Sequence, residues 1–384
     1  MGPLSGVRVV ELAGIGPAPF AGMLLADLGA EVLRVDRPGD PSPSASGGDA
    51  PTDLLNRGKS SVAINLKDLD GIETVLRLID RADVLIEGFR PGVTERLGIG
   101  PEVCCARNPQ LVYARMTGWG QDGPNAPLAG HDINYIALSG VLAHIGRPGT
   151  PPAPPLNLVG DFGGGGMLVG FGVVCALLER NTSGRGQVVD AAMVDGAALL
   201  ATYVHGLRAD GKWSLERGVN PLDGGAPYYD TYPTSDGKFI SIGAIESKFY
   251  VALIDALGMD RSALPDRDDP AVWPALKAQI AAVIRTRTRD DWIRELADVD
   301  ACFAPVLDME EAYLHAHNQA RGTFVMRDGV HQPAPAPRFS RTPGAIRASP
   351  PVPGRDTSSA LTKWGFTQAE ISGLRVNGTI AGPG

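Results

Sequence analysis

The sequence has few cysteines and few basic residues, and each shortage argues against certain classes of protein. Cys104, Cys105, Cys175 and Cys302 are its four cysteines, and no two have CxxC spacing. This is typical of reduced thiols in a cytosolic protein and argues against a disulfide framework or a zinc site. Lysine and arginine number 35 against 43 acidic residues, a net charge of −8. The basic face that a nucleic-acid-binding protein needs is therefore not expected.

Long hydrophobic runs and several catalytic signatures are also missing. The longest apolar stretches, such as residues 167–178, contain several glycines, and we expect them to be too short to cross a bilayer. Residues 7–12 already show a strand pattern, with no signal segment before them. No GxSxG elbow and no Walker sequence occurs, which argues against hydrolase and NTPase functions. We expect a cytoplasmic protein with no membrane partner.

The pattern in the first 200 residues predicts an α/β domain. Short apolar runs at 7–12, 31–35, 62–66, 84–87 and 111–116 alternate with helical patterns such as 17–28 and 71–79. Such alternation is typical of parallel strands joined by crossover helices. We predict a large domain over residues 1–200, completed by about 325–384 from the C-terminus.

The pattern changes near Pro227, where a smaller α+β domain is predicted over residues 227–324. The turn Ser235-Asp236-Gly237 separates two strand-like runs, and helical patterns follow at 248–257, 271–285 and 290–296. Residues 201–226 are expected to be a linker, and the apolar run 193–208 predicts a connecting helix.

Ligands of open α/β sheets bind beyond the carboxyl ends of the strands, which here places residues 14–19, 36–38 and 88–90 around one crevice. Gly14 and Gly16, followed by Asp36, suggest a dinucleotide site, but Pro19 stands where the third glycine is needed. A helix start at Pro17 and a strand-end Asp36 explain the pattern without a cofactor.

Basic residues cluster in the loops of this half of the chain. Each residue on its own is explained as a solvated surface charge. Together, these residues would bind phosphate groups. They are Arg37, Arg57, Lys59, Lys67, Arg90 and Arg96.

Two glycine-flanked segments carry a candidate acid–base pair. His131 lies in residues 130–135 (GHDINY), and Asp161 lies in residues 157–166 (NLVGDFGGGG). Structural roles compete with catalysis, since an aspartate before a helix is most often an N-cap and a histidine can be a buried hydrogen-bonded residue. The peptide N–H groups after Asp161 would also receive an oxyanion. Asp132 is expected to cap the segment that starts at Ile133, and Glu246 is expected in the first turn of a helix.

Several blocks, in order along nearly the whole chain, resemble the family III coenzyme A transferase (CaiB/BaiF) superfamily and, within it, the α-methylacyl-CoA racemases. The blocks are residues 3–12 (PLSGVRVVEL), 28–32 (LGAEV), 56–59 (NRGK), 83–92 (DVLIEGFRPG), 116–120 (MTGWG), 190–193 (DAAM) and 224–230 (GGAPYYD). The superfamily contains both transferases and racemases, so membership does not choose the reaction.

The resemblance implies a choice at His131. The transferases usually have an aromatic residue there and use an aspartate nucleophile that would match Asp161, whereas the racemases have the Gly-His-Asp sequence found here. We therefore expect a racemase of 2-methylacyl-CoA thioesters, an isomerase of fatty acid metabolism, with His131 and Asp161 as the two bases. A family III CoA transferase, with Asp161 as covalent nucleophile, is the alternative. A CoA-binding protein without activity is a third.

The resemblance also implies the fold, the partners and the remaining site residues. It implies a Rossmann-like large domain, an interlocked homodimer, no metal or cofactor, and Glu246 orienting His131, from either subunit. Ser247 and Lys248 differ from the commoner residues at these positions. The expected CoA-binding residues are Arg37, Ile64, Asn65, Leu66, Lys67, Gly88, Phe89, Arg90, Arg96, Gly130, Asp132, Ile133, Asn134 and Tyr135.

Overall fold

A computed structural model describes residues 2–39 and 52–382 of the chain. These residues form two compact units. The first comprises Met1–Ser139, Leu156–Leu200 and His317–Gly384, and the second comprises Gly140–Pro155 and Ala201–Ala316. Residues 201–226, expected as a linker, thus fall in the second unit together with 140–155. Arg217 binds the two segments to each other, because its guanidinium donates to the Ala143 carbonyl at 2.8 Å.

The strands of the described residues, in chain order, are β1 (Arg8–Leu12), β2 (Glu31–Asp36), β3 (Ser60–Ile64), β4 (Val84–Glu87), β5 (Val112–Thr117), β6 (Val188–Ala192), β7 (Tyr229–Pro233), β8 (Phe239–Gly243), β9 (Phe303–Pro305), β10 (Phe324–Arg327), β11 (Val330–Pro333) and β12 (Ile380–Ala381). The α-helices are α1 (Pro17–Asp27), α2 (Leu69–Ile79), α3 (Val93–Arg96), α4 (Pro101–Arg107), α5 (Asp132–Leu138), α6 (Met167–Ser183), α7 (Met193–Leu200), α8 (Thr202–Ala209), α9 (Ser247–Ala256), α10 (Trp273–Ile284), α11 (Arg289–Glu295), α12 (Met309–Leu314), α13 (Ala316–Arg321), α14 (Thr357–Lys363) and α15 (Gln368–Val376).

The first unit is built on a sheet of order β12-β3-β2-β1-β4-β5-β6. All neighbouring strands are parallel except β12, which pairs antiparallel with β3. The predicted α/β class with a mostly parallel sheet is confirmed. The order β3-β2-β1-β4-β5-β6 is that of doubly wound sheets, whose ligand crevice opens between the first and fourth strands, where the order reverses.

The central strands carry buried apolar residues on both faces of the sheet because helices cover both faces. Val9, Val10 and Leu85 are fully buried. Their side chains alternate between two hydrophobic clusters, one packed against α2 and α14 and the other against α1 and α6. The rigid centre of the sheet thus fixes the loops at its carboxyl edge.

Two of the basic residues predicted to hold phosphates serve this core instead. Lys59 is fully buried, and its ammonium donates to Glu11 Oε1 at 2.7 Å. Arg57 is also buried and pairs with Asp27 at 2.6 Å. The prediction is wrong for Arg57 and Lys59, because both side chains turn inward to compensate buried carboxylates.

The expectation that the apolar stretch around residues 167–178 is too short to cross a membrane is also wrong. A π-helical segment, Leu158–Gly166, continues directly into α6, giving a helical run Leu158–Ser183 of 26 residues. By length and composition this run is long and apolar enough to cross a bilayer, and 39% of its most apolar window is buried within the protein. Glycines 163–166 lie within this continuous helical run.

The second unit contains a three-stranded antiparallel sheet of order β7-β8-β9. The hairpin predicted around Ser235-Asp236-Gly237 joins β7 and β8. Helices α9, α10 and α11 match the three predicted ones within two residues. The single helix predicted over 193–208 is instead two, since α7 ends at Leu200 and α8 begins at Thr202.

Candidate functional site

A cleft of about 420 Å³ opens in the first unit at the carboxyl edge of the sheet, beyond the ends of β1, β4 and β5. It lies where the strand order reverses, the position expected for a ligand in a doubly wound fold. His131 and Asp161 both line it. The other lining residues include Ile15, Pro17, Gly88, Phe89, Arg90, Met116, Trp119, Gly130, Tyr135, Asn157 and Met193.

His131 is the N-cap residue of α5, and its backbone is held on both sides. Its N–H donates to Asn134 Oδ1 at 3.1 Å, and its carbonyl accepts from the Asn134 N–H at 2.8 Å. The preceding carbonyl, that of Gly130, accepts from the Tyr135 hydroxyl. The His131 side chain is exposed and lines the cleft.

Tyr135 is fixed in turn by its surroundings. Its ring packs edge-to-face against Trp119, with the ring centroids 4.7 Å apart. A Cβ atom at Gly118 would lie 2.1 Å from the Tyr135 ring, so only glycine fits there. The histidine loop therefore stands on a packed aromatic base at the end of β5.

Asp161 lies inside the π-helical segment, so the predicted N-cap role is wrong: the N-cap residue is Asn157. A π-helix forms i→i+5 hydrogen bonds and is frequently found at functional sites. Here it also redirects the peptide N–H groups that follow Asp161, which bond back along the helix. The predicted role of those N–H groups in receiving an oxyanion is therefore wrong as well.

The electrostatics of the cleft raise the pKa of Asp161 above its ordinary value. Burial is the largest cause, and the neighbouring Asp132 carboxylate adds to it. Asn157 Nδ2 donates to Asp161 Oδ2 at 3.1 Å, and this bond, with His131, acts in the opposite direction. The net shift moves the carboxyl towards the range in which an imidazole titrates.

Asp132 does not cap its own helix as predicted. It occupies the first position of α5, and its Oδ1 accepts from the N–H groups of Gly160 and Asp161 at 2.6 and 2.7 Å. Its side chain is only 5% exposed. The carboxylate therefore binds the segment that carries Asp161.

Some of the expected CoA-binding residues line the cleft of His131 and Asp161, some line an adjoining cleft, and the others line neither. Gly88, Phe89, Arg90, Gly130 and Tyr135 line the cleft of His131 and Asp161. Arg37, Leu66, Gly88 and Phe89 line an adjoining cleft of about 300 Å³ beyond the ends of β1 and β2. The lining of these clefts does not include Ile64, Asn65, Lys67, Arg96, Asp132, Ile133 or Asn134. Ile64 is fully buried in β3.

The strand-end Asp36 is already engaged within the fold. Its carboxylate pairs with Arg34 at 2.6 Å and accepts from the Ser61 hydroxyl at 2.5 Å, and both acidic and basic side chains are 1% exposed. Burial raises the pKa of Asp36. A dinucleotide fold would use this residue to bind the ribose. In this protein the Asp36 carboxylate is instead bound to Arg34 and Ser61.

Glu246 belongs to the second unit, where it is the N-cap residue of α9, one position before the predicted first turn. The two carbonyls before it, those of Ala244 and Ile245, accept from the Arg267 guanidinium. Arg267 lies over the rings of Tyr228 and Tyr250, 4.1 and 4.6 Å from their centroids. The loop that presents Glu246 is thus clamped by a stacked arginine.

Several site residues were missed from the sequence. Met116 and Trp119 belong to the family motif at residues 116–120, and Asn157 begins the segment that contains Asp161, but the sequence did not predict any of the three as a site residue. The signal for all three is their place at the end of a strand or beside a candidate base. Within residues 2–39 and 52–382 there is no group of three or more His, Cys, Asp or Glu side chains arranged to hold a metal ion.

Comparison with protein-family models matches residues 4–357 to CoA-transferase family III. The match covers most of the chain, which therefore belongs to this family, as the sequence motifs predicted. The family gives the class of protein that the fold and cleft define.

Two curated relatives within this family share a name that is narrower than the family description. The chain is 49% identical over 371 residues to the α-methylacyl-CoA racemase of Mus musculus, covering 96% of this chain and 95% of the relative. It is 44% identical, with the same coverage, to the α-methylacyl-CoA racemase of Homo sapiens. Among solved structures, a CAIB/BAIF family protein from Brucella suis has a TM-score of 0.82 and 27% identity, covering 94% of this chain and 99% of that chain.

Proposed function

We propose that this protein is an α-methylacyl-CoA racemase that interconverts (2R)- and (2S)-2-methylacyl-CoA thioesters. The observation that carries the proposal is that His131 and Asp161 line one cleft at the switch point of a doubly wound sheet. The identity of 49% and 44% to two curated racemases, over nearly the full chain, agrees with it.

The reaction requires one base to take the α-proton from one face of the carbon and a conjugate acid to return a proton to the other. The two groups must exchange roles for the reverse direction, so their pKa values need to be close. Burial and Asp132 raise the pKa of Asp161, which brings the carboxyl nearer to an ordinary imidazole. The shared cleft and the raised pKa of Asp161 support His131 and Asp161 as the acid–base pair.

The intermediate is an enolate, whose charge falls on the thioester oxygen. The chemistry calls for no redox cofactor and no metal, since only protons move.

Coenzyme A would bind along the carboxyl edge of the sheet. Arg37 and Arg90 lie in the two adjoining clefts, which share Gly88 and Phe89. Guanidinium groups bind phosphates in bidentate geometry, and glycine lets a ligand approach the backbone closely. The remaining residues of the expected CoA-binding set stay assigned to this ligand on the family resemblance alone.

Assembly as a homodimer and action in the cytoplasm belong to the same proposal. An apolar row on α6 supports the dimer, because Met167, Phe171, Val174 and Leu178 recur at helical spacing and are all exposed in the single chain. Glu246 would fix the tautomer and orientation of the His131 imidazole, from the same or the second subunit.

The decisive experiment incubates one enantiomer of a 2-methylacyl-CoA with the protein in D2O. NMR follows deuterium at the α-carbon, and chiral analysis follows configuration. Deuterium incorporation with loss of optical purity is the expected result. His131→Ala should lose racemisation by at least about 100-fold, the usual contribution of a general acid–base group.

A CoA transferase gives a different result in the same assay. The α-proton would remain in place while CoA moved to an added free acid, and transfer would survive His131→Ala but not Asp161→Ala. Binding of acyl-CoA without either reaction would leave only a binding protein. Either outcome contradicts the racemase proposal.

A further inference from the structure

Asp132 connects the two candidate bases through the backbone. It directly follows His131 in the chain and is the first residue of α5. Its Oδ1 accepts from the N–H groups of Gly160 and Asp161 at 2.6 and 2.7 Å. One carboxylate oxygen therefore joins the helix start that carries the imidazole to the segment that carries the carboxyl.

The fit around this contact leaves little freedom. A Cβ atom at Gly160 would lie 2.6 Å from Asp132 Oδ1, so glycine is required for the carboxylate to approach. Gly160 and Asp132 are both buried. Hydrogen bonds from N–H groups to a charged acceptor are short and strong. The two bonds therefore fix the position of the Asp161 backbone relative to the start of α5, which carries His131.

Other roles for this carboxylate find no support in its contacts. Asp132 is not among the residues that line the cleft. Its second oxygen, Oδ2, is buried and accepts no hydrogen bond from the part of the chain that the structure describes. The carboxylate lies beside Asp161, whose pKa it raises.

We propose that Asp132 is a positioning residue for the proton transfer, which holds the Asp161 carboxyl in register with the His131 imidazole by binding the Gly160 and Asp161 N–H groups. The inference rests on the proposed racemase function. It goes beyond the expected role of Asp132 in CoA binding, because it assigns the side chain to the geometry of the bases. A displacement of about 1 Å at reacting groups costs on the order of 100-fold in rate.

The test compares Asp132→Ala, Asp132→Asn and a control, Asp70→Asn, which removes an exposed first-turn carboxylate from α2. Asp132→Ala removes both hydrogen bonds, so kcat should fall about 100-fold with KM changed less than about threefold. Asp132→Asn keeps an oxygen acceptor, so most of the rate should return. It removes the charge, so the acidic limb of the pH profile should move to lower pH. Asp70→Asn should match the wild type.

Exchange of the α-proton in D2O gives a readout that loss of folding alone would not produce. With Asp161 displaced and His131 in place, the enantiomer whose α-proton faces His131 should still take up deuterium with retained configuration. The other enantiomer should lose exchange. Equal loss from both enantiomers in folded Asp132→Ala, a large rise in KM, or an Asp132→Asn variant as impaired as Asp132→Ala with an unmoved pH profile would overturn the proposal. Wild-type protein that exchanges neither enantiomer would instead reject the racemase function itself.

Discussion

At the scale of single residues, Asp161 shows that the requirements of function and of stability conflict. A carboxyl group in this cleft is desolvated and lies beside a second carboxylate, and both effects raise its pKa. The shift favours exchange of roles with an imidazole, but it makes the ionised form costly in the folded protein. Such local costs are common at catalytic sites.

The cost of ionising Asp161 in the folded protein predicts how Asp161→Asn changes stability. Because the folded pKa is raised, the contribution of Asp161 to stability is fully present below its ordinary pKa of 3.8 and is lost as the pH rises through the folded value. Asp161→Asn should therefore raise Tm at pH 7 by roughly 1–3 °C, while racemisation is lost. Thermal unfolding between pH 3.5 and 8 measures this, with Asp70→Asn as control. A variant that is less stable at pH 7 than wild type contradicts the prediction.

At the scale of elements, the position of Asp161 depends on close packing of the π-helical segment. Its glycines allow the segment to lie backbone against backbone on α7, where a Cβ atom at Gly196 would be 1.9 Å from the Gly164 carbonyl oxygen. On the other side Phe162 packs on Phe20 of α1, with ring centroids 4.8 Å apart. The segment is thus wedged between two helices that are themselves fixed to the sheet.

Gly196→Ala should separate the π-helical segment from α7 and so displace Asp161. We expect a loss of stability of about 1–3 kcal/mol, the usual cost of overpacking, and a fall in kcat of at least tenfold. The matched control is Gly170→Ala in α6, where the added Cβ would meet only Leu24 Cδ1 at 4.0 Å. That variant should keep full activity and gain up to ~1 kcal/mol, since alanine is the better helix former. Denaturant unfolding and steady-state kinetics test both variants. Equal stability and equal kcat of the two would show that packing against α7 does not position Asp161.

At the scale of the whole molecule, the apolar row on α6 indicates a surface that another molecule covers. Phe171 and Leu178 are 67% and 70% exposed in the single chain. Contiguous apolar surface of this kind on a protein usually marks an interaction site. A second copy of the chain is the partner that the proposed function names, although the helix also meets the length and composition of a membrane span.

If the proposed dimer forms through α6, Phe171→Glu combined with Leu178→Glu should convert it into a monomer at micromolar concentration, because a buried unpaired carboxylate is costly. Sedimentation velocity measures the change. Leu69→Glu is the control, since Leu69 is 85% exposed at the first position of α2. A variant that remains dimeric, or a wild type that is monomeric in detergent-free buffer, would show that α6 is not the interface.

Much of the architecture could be predicted because it depends on local pattern. Periodic apolar runs gave the strands and helices of the sheet, the hairpin around Ser235-Asp236-Gly237 and the helices of the second unit, and the confirmed family followed from the ordered motifs. The motifs also favoured a racemase over a transferase, in agreement with the curated relatives. The pairing of His131 with Asp161 remains a prediction that the shared cleft supports.

The errors share one physical cause, which is that a side chain's partner far along the chain is invisible in local sequence. Lys59 looked like a surface cation, but its partner Glu11 lies 48 residues away. Asp132 looked like a cap for its own helix, but it binds backbone 28 and 29 residues downstream. Glycines 163–166 are poor helix formers, and packing against α7, which the local sequence does not show, holds them in the helical run.

The sequence by itself determined the chemistry available to this protein, since residue types and motif order specify an imidazole, a carboxyl group and a family. The tertiary structure alone decided how these groups are used. It placed both in one cleft, partly buried Asp161 so that its pKa rises, and bound the Asp132 carboxylate to backbone N–H groups. Burial and long-range hydrogen bonds set pKa and geometry, and both exist only after the chain has folded.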